Sequence, residues 1–316
     1  MNAFPRGLHH VTAIASDLQK NIDFYAGLLG LRLVKRTVNF DDPTAYHLYY
    51  GDAQGTPGSI VTFFYWPHAG HRGRVGAGQV RRLSFSASPA ALDFWMERLT
   101  RHHVSAERVQ RFDEDVISLT DPDGIAIEIV AAANDPRRGW TGAGIAEEHA
   151  LRGLHTAELL VHERSVTERL LEGEMGFRLV KRTSSRARFE SGEGGPGTYV
   201  DVVGDPQTVG GLGGVGTIHH LAFRVPDGPS QRTMQVRLNA VGYLVSAVRD
   251  RSYFRSIYYR ERCGVLFEIA TDIPGFAIDE PVDSLGTTLR LPRPFEEMRS
   301  EIERTLPPLS PPKAFN

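Results

Sequence analysis

The chain has 316 residues, 41% hydrophobic and 23% charged, with a formal net charge of −2. At ~100–200 residues per domain this is two domains' worth of core, and the near-neutral balance gives no electrostatic case for nucleic acid or an anionic membrane as partner. No apolar run approaches the ~20 residues of a membrane span, Met1–Arg6 lacks a signal-peptide pattern, and the single cysteine, Cys263, excludes an intrachain disulfide, so a cytoplasmic protein is expected.

The first predicted element is a β-rich run, His10 to Ala15, followed by a helix over Asp17 to Leu29. Leu18, Ile22, Tyr25 and Leu29 fall at helical spacing and form one apolar stripe; Asp17 is placed to cap it and Gly30 to end it. Three β-like runs then close the unit. The pattern recurs with helices over Pro89 to His102, Ser165 to Met175 and Ser230 to Ala240. In the second of these four helices Leu92, Trp95 and Leu99 make the stripe, with Ser88 expected as cap and Pro89 at the first helical position. Each unit reads βαβββ, and the four occupy roughly 6–68, 78–132, 150–205 and 215–272. Such a unit cannot bury its own sheet face, so the modules must pair.

The modules are also related in sequence. Gly-Leu-Arg-Leu-Val-Lys-Arg-Thr at 30–37 returns as Gly-Phe-Arg-Leu-Val-Lys-Arg-Thr at 176–183, an offset of 146 residues. The same offset carries Leu8-His9-His10 onto Leu154-His155-Thr156. Within the halves, Ile218-His219-His220 resembles Leu8-His9-His10, and Gly-Val-Leu-Phe-Glu-Ile at 264–269 resembles Gly-Ile-Ala-Ile-Glu-Ile at 124–129. This divides the chain into an N-terminal half (1–140), a C-terminal half (141–290) and a proline-rich tail (291–316) expected to be extended.

Equivalent positions in the repeat can be compared for chemistry. The third position of each first strand and the fourth after the glycine of each last strand offer His10 and Thr62, Arg82 and Glu128, Thr156 and Asp201, and His220 and Glu268. Only the first and fourth modules together supply two imidazoles and a carboxylate, so those two should share one cup. Two histidines and one carboxylate with open positions suit non-haem Fe(II) oxygen chemistry. The other cup, with Arg82, Glu128, Thr156 and Asp201, is expected to be metal-free, Arg82 pairing with the carboxylates. Strand alternation puts His220, Ala222 and Arg224 on the cup face, and Leu221, Phe223 and Val225 on the helix-packing face. By the same rule His9 and His219 should point away from the cup. Ordinary core histidines would explain one such pair, but not two at equivalent repeat positions with Glu268 in the third slot.

Other signals read more plainly. Gly211–Gly216 matches Gly-x-Gly-x-x-Gly, but a β-like run follows it where a dinucleotide site needs a helix, so it is a flexible linker. His47 lies in an alternating strand as a supporting residue. His102 and His103 should face solvent, Asp113–Asp115 should form a solvated turn, and Cys263 is structural. Arg251, Tyr253, Tyr258 and Tyr259 cluster before the last strand of the fourth module.

Four βαβββ modules with His-His in the first strand and Phe-Glu in the last resemble the vicinal oxygen chelate superfamily of glyoxalase I, extradiol dioxygenases and bleomycin-resistance proteins. Leu-His-His-Val-Thr (8–12), Val-Lys-Arg-Thr-Val-Asn-Phe-Asp-Asp (34–42), Tyr-His-Leu-Tyr-Tyr (46–50), Gly-Thr-Pro-Gly (55–58) and Ile-His-His (218–220) resemble its hydroquinone-type ring-cleaving dioxygenases. The resemblance implies an α+β fold of two cup-shaped pseudo-barrels, one carrying metal on His10, His220 and Glu268. It further implies Fe(II), with Mn(II) accommodated and Zn or Ni less suited, and a small aromatic substrate and O2 as reactants. Tyr258 and Arg251 match family positions for proton transfer and anion binding, His9 and His219 match supporting positions, and Thr12 lies beside His10. A homo-oligomer is left open. Two other readings stand beside this one. A glyoxalase-type isomerase or lyase generally needs a fourth protein ligand, and its slot here holds Thr62. A non-catalytic small-molecule-binding resistance protein needs no triad.

Overall fold

The computed structural model describes residues 4–66 and 71–315. Residues 1–3, within the stretch read for a signal peptide, and 67–70, at the end of the first module, lie outside the described residues.

The first module contains β1 (Leu8–Ala15), α1 (Leu18–Ile22), β2 (Arg32–Asn39), β3 (Asp42–Gly51) and β4 (Ile60–Tyr65). The second contains β5 (Gln79–Ala87), α2 (Ala91–Arg101), β6 (Ala106–Arg111), β7 (Glu114–Thr120) and β8 (Ala126–Ala131). The third has β9 (Leu154–Val161), α3 (Arg164–Arg169), β10 (Arg178–Arg182), β11 (Arg186–Glu190) and β12 (Tyr199–Gly204). The fourth has β13 (Ile218–Val225), α4 (Gly228–Ala240), β14 (Arg249–Asp250), β15 (Phe254–Arg260) and β16 (Leu266–Pro274).

Helix starts follow local chemistry. The Asp17 carboxylate accepts from the Lys20 amide, and Gly30 at φ +70° turns the chain out of the helix. Beyond Ile22 and again beyond Arg169 the first and third helices widen into a π-helical turn, over Asp23–Leu28 and Leu170–Glu174. The repeat therefore preserves an irregularity that the 3.6-residue stripe does not reveal. Ser88 does not cap α2; its hydroxyl donates to the Glu148 carbonyl, and the helix begins at Ala91.

The strands form two eight-stranded sheets. One runs β14-β15-β16-β13-β1-β4-β3-β2 and the other β10-β11-β12-β9-β5-β8-β7-β6. Modules one and four thus share a sheet, joined by the antiparallel pair β1 and β13, and modules two and three share the other through β5 and β9. The helix-facing sides of both sheets meet in one apolar core that includes Phe85, Trp95, Leu221 and Phe223. The inner face of the first sheet carries its own apolar floor of Val34, Tyr49, Ile60, Ala222 and Phe254.

The glycine-rich run does not open a helix. It pairs with the linker between modules one and two, through Arg74 and Leu212 and through Ala77 and Gly210. After β16 the chain returns as a strap: Phe276 and Leu285 pack on the apolar floor, and Leu289 bridges to Arg36 on β2. Part of the expected extended tail is helical. Arg293–Met298 is a 3-10 helix and Arg299–Thr305 is α5, which anchors itself by burying Ile302. Beyond it Ser310 and Lys313 donate backbone N–H groups to Gln19 and Asp23 of the first module. Among the described residues no helix is long and apolar enough to cross a membrane.

Candidate metal centre

Two bulges shape the centre of the first sheet. Between Leu8 and His10 strand β1 uses two residues against one on β13, so His9 is extra; between Thr12 and Ala13 the surplus falls on β13, at His219. A bulge bends the strand and re-aims a side chain. The alternation that should point His9 and His219 away from the cup is broken at those two residues. His9 Nδ1 lies 2.8 Å from His10 Nδ1, and His219 Nδ1 lies 2.8 Å from His220 Nδ1. Each pair of consecutive histidines is an imidazole backed by an imidazole. Neither His9 nor His219 lines the cavity itself.

The hydrogen bonds assign the tautomers on the β1 side. His9 Nε2 is 3.2 Å from the Thr271 carbonyl, which can only accept, so Nε2 carries the proton. His9 Nδ1 then accepts from His10 Nδ1–H, and His10 Nε2 presents a lone pair to the cup. Burial, then the neighbouring His10, hold the His9 imidazole well below its usual pKa, so it stays neutral in this chain. Burial and then His220 push His219 down to about 3, and burial also lowers His220.

The register Ala222↔Glu268 between β13 and β16 brings the carboxylate to the same place. His10 Nε2 and His220 Nε2 are 3.2 Å apart, and Glu268 Oε2 stands 3.4 Å from the first and 2.9 Å from the second. Glu268 Oε1 accepts a short hydrogen bond from Ser256, whereas the buried Oε2 takes no hydrogen bond. Burial alone would raise the Glu268 carboxyl, but His10 and His220 beside it hold it well below the usual range. With His220 in the same tautomer as His10, three electron-rich atoms converge on one point, an arrangement that a cation resolves. Donors ~2.0–2.1 Å from one ion would stand ~2.8–3.0 Å apart in adjacent octahedral positions and ~3.3–3.4 Å apart in a tetrahedron, which brackets the observed edges. The residues present fit a mononuclear metal.

Around that point the cavity is half aromatic and half polar, lined by Phe40, Phe64 and Phe254 and by Thr12, His47 and Tyr258. Tyr258, opposite Glu268 in the β15–β16 register, accepts from Arg251 Nε at 3.2 Å. Burial and Glu268 raise the Tyr258 phenol above its usual value while Arg251 works against them, so it is protonated at neutral pH. Thr62, in the slot where a fourth ligand would stand, is instead bonded to His47 Nε2 at 2.5 Å and lies 3.3 Å from Thr12 Oγ1. His47 Nδ1 is held in turn by Tyr49 at 3.0 Å. Of the four residues clustered before β16, Arg251 and Tyr258 reach the cavity. Tyr253 turns to Asp279, and Tyr259 contacts Met175 on the opposite face.

The second sheet shows the same slots with other chemistry. Arg82 pairs with Glu128 at 2.7 Å, Arg188 with Asp201 at 2.7 Å, and His155 keeps the contact of its counterpart His9, now to Thr156 Oγ1 at 2.8 Å. Glu114 is not in a solvated turn. It reaches into this cup, to Arg188 Nη1 at 2.6 Å and His155 Nε2 at 3.3 Å. Sequence reasoning missed this because β7 begins at Glu114 itself, which fixes its side to face the sheet interior. It also missed Ser256, a residue type with no signal of its own, although its spacing two before Tyr258 on β15 puts both on the cup face.

Comparison with known proteins agrees with this architecture. Residues 7–129 match the family described as the Glyoxalase/Bleomycin resistance protein/Dioxygenase superfamily. The candidate ring-cleaving dioxygenase MhqO of Bacillus subtilis (strain 168) is 43% identical over 302 residues, covering 96% of this chain and 96% of that protein. A chlorohydroquinone/hydroquinone 1,2-dioxygenase of Sphingobium indicum is 32% identical over 307 residues, 95% of each. The crystal structure of a candidate dioxygenase from Bacillus subtilis superposes with a TM-score of 0.93 at 42% identity, covering 97% of this chain and 98% of that one. Maize glyoxalase I shares the fold, with a TM-score of 0.62 at 14% identity over 84% of this chain and 92% of its own. The chain belongs to the vicinal oxygen chelate superfamily and, within it, to the ring-cleaving dioxygenases.

Proposed function

We propose that this protein is an Fe(II)-dependent, extradiol-type dioxygenase that opens the ring of a hydroquinone- or catechol-like phenol. The observation that carries the reading is the convergence of His10 Nε2, His220 Nε2 and the orphaned Glu268 Oε2 beside an aromatic-walled cavity. Those three residues hold the metal; the same donor set takes Mn(II). When bound, the metal supplies Lewis acidity that stabilises a phenolate at neutral pH and the redox chemistry with O2.

The remaining steps belong to side chains. Phe64 and Phe254 give the cavity the apolar wall that an aromatic ring would meet once admitted. Arg251 offsets negative charge developing on the substrate oxygens and holds Tyr258 by its phenolic oxygen, leaving the Tyr258 proton free to move toward the substrate. A positioned acid of this kind contributes ~10²–10⁴ in rate. His9 and His219 hold the ligand rings in the metal-binding tautomer, and Thr12 supports the floor through Thr62. Support from the relatives is direct in kind: one acts, by its name, on chlorohydroquinone and hydroquinone. The isomerase reading is disfavoured because Thr62 is occupied by His47 and Thr12.

An oxygen electrode tests the proposal. Protein loaded with Fe(II) under nitrogen and then given O2 and a panel of hydroquinones and catechols should consume O2 with at least one of them, and the His220→Ala chain should not. No uptake with any phenol overturns the reading.

A further inference from the structure

The cavity over the triad is small, about 30 Å3. A water needs ~10–15 Å3 in such a space, so there is room for two or three waters and none for an aromatic ring until a wall moves. One wall is shared. Phe40, Asp41 and Arg251 also line a much larger cleft on the outer side, about 900 Å3. Phe40 and Asp41 are the two-residue tip of the β2–β3 hairpin. Arg251 sits across from them in the turn between β14 and β15, next to Ser252, which is held at φ +62°. Such strain persists where the surroundings impose it. The wall is closed by one partly exposed ion pair, Arg251 Nη2 to Asp41 Oδ2 at 3.3 Å, with Arg251 also lying over the Phe40 ring.

The outer cleft has a charge imbalance. Its acidic residues are all engaged: Asp279 by Lys35, Glu296 by Arg299, Asp41 by Arg251, and Asp250 by the Ser252 amide. Among the described residues its arginines Arg249, Arg255 and Arg293 have no carboxylate within ion-pair distance, whereas Arg290 Nε lies 3.6 Å from Glu280 Oε1. Val248, Ile278 and Phe295 give the same cleft an apolar side.

We propose that this cleft is the access vestibule of the triad cavity, that it selects phenols bearing a carboxylate, and that Asp41 is an internal anion displaced from Arg251 as the substrate carboxylate arrives. The proposal rests on the dioxygenase reading for the fate of the ring, not for the capture step. The free guanidinium groups draw the carboxylate, the apolar side takes the ring, and competition for Arg251 releases the hairpin tip. Asp41 is then a positioning residue whose removal opens the wall without touching the ligands.

Binding measured by calorimetry on Fe(II)-loaded protein under nitrogen tests this apart from turnover. The probes are 1,4-dihydroxybenzene and its 2-carboxylate. The carboxylated ring should bind roughly three- to tenfold more tightly, on the order expected for a carboxylate meeting the two exposed arginines Arg255 and Arg293, and the advantage should shrink in high salt. Arg255→Gln with Arg293→Gln should erase the preference, Asp41→Asn should strengthen binding of the carboxylated ring, and Arg232→Gln, at an exposed position of α4, should leave the preference as it is. Equal affinity for the two rings, or a preference that survives the double substitution, overturns the proposal. Selective binding without O2 uptake by any phenol would instead overturn the dioxygenase reading and leave the vestibule standing.

Discussion

At the scale of single residues the centre depends on histidines that never meet the cavity. Thr271 fixes the proton of His9, His9 fixes that of His10, and the Nε2 lone pair is left for the metal. Partners of this kind typically change metal affinity by ~10–100-fold when removed. His9→Ala should therefore weaken Fe(II) binding by about that factor while the far-ultraviolet dichroism of the fold stays unchanged; an affinity equal to wild type would show that His10 needs no such partner. Alternation along a strand made the triad legible in the sequence and kept His9 and His219 off the cavity wall, but it did not reveal that both turn against the triad imidazoles. Period two holds only where pairing is regular, and a bulge leaves no mark in residue type at a position that is already histidine. His10, His220 and Glu268 were readable because the repeat supplied equivalent slots to compare. Arg251 and Tyr258 were separable from Tyr253 and Tyr259 only by the family resemblance.

Elements repeat in sequence more closely than in environment. Val-Lys-Arg-Thr lies on β2 and again on and just after β10, yet Lys35 is 0% exposed and Lys181 is 41% exposed. The difference is the strap that follows β16. It lays Glu280 and Asp279 against Lys35, at 2.5 and 2.6 Å, and among the described residues no equivalent segment covers β10, whose residues are mostly exposed. The strap carries no helical or strand periodicity, which is why the sequence does not announce it. Lys35→Ala leaves the buried Glu280 carboxylate with Thr288, the Gly286 amide and the Arg290 guanidinium 3.6 Å away, so the loss should fall at or below the low end of the ~3–5 kcal/mol of a buried pair broken from one side. Urea unfolding should show that loss; a change under about 1 kcal/mol would mean that water reaches Glu280.

For the whole molecule, one architecture serves two purposes. The sheet of modules one and four gathers a triad with an orphaned carboxylate oxygen, and the sheet of modules two and three fills the matching space with arginine–carboxylate pairs. The pairing of modules was legible because only one combination of slots joined two imidazoles to a carboxylate. The inward turn of Glu114 was not, because a run of acidic residues resembles a solvated turn. His155 and Arg188 beside it override burial and pull the Glu114 carboxyl down to about 2, from 4.5. A depressed folded-state value contributes stability that is present above pH ~4.5 and lost as pH falls through ~2, here ~3 kcal/mol. Glu114→Gln should be destabilised by about that much at pH 7, with the gap to wild type closing between pH 4.5 and 2. A gap independent of pH would place the effect in packing.

The account as a whole stands on O2 entering the product. Fe(II)-loaded protein turning over a hydroquinone under 18O2 should give a ring-opened acid carrying label from O2, read by mass spectrometry. An unlabelled product, or one formed equally well without O2, would contradict it.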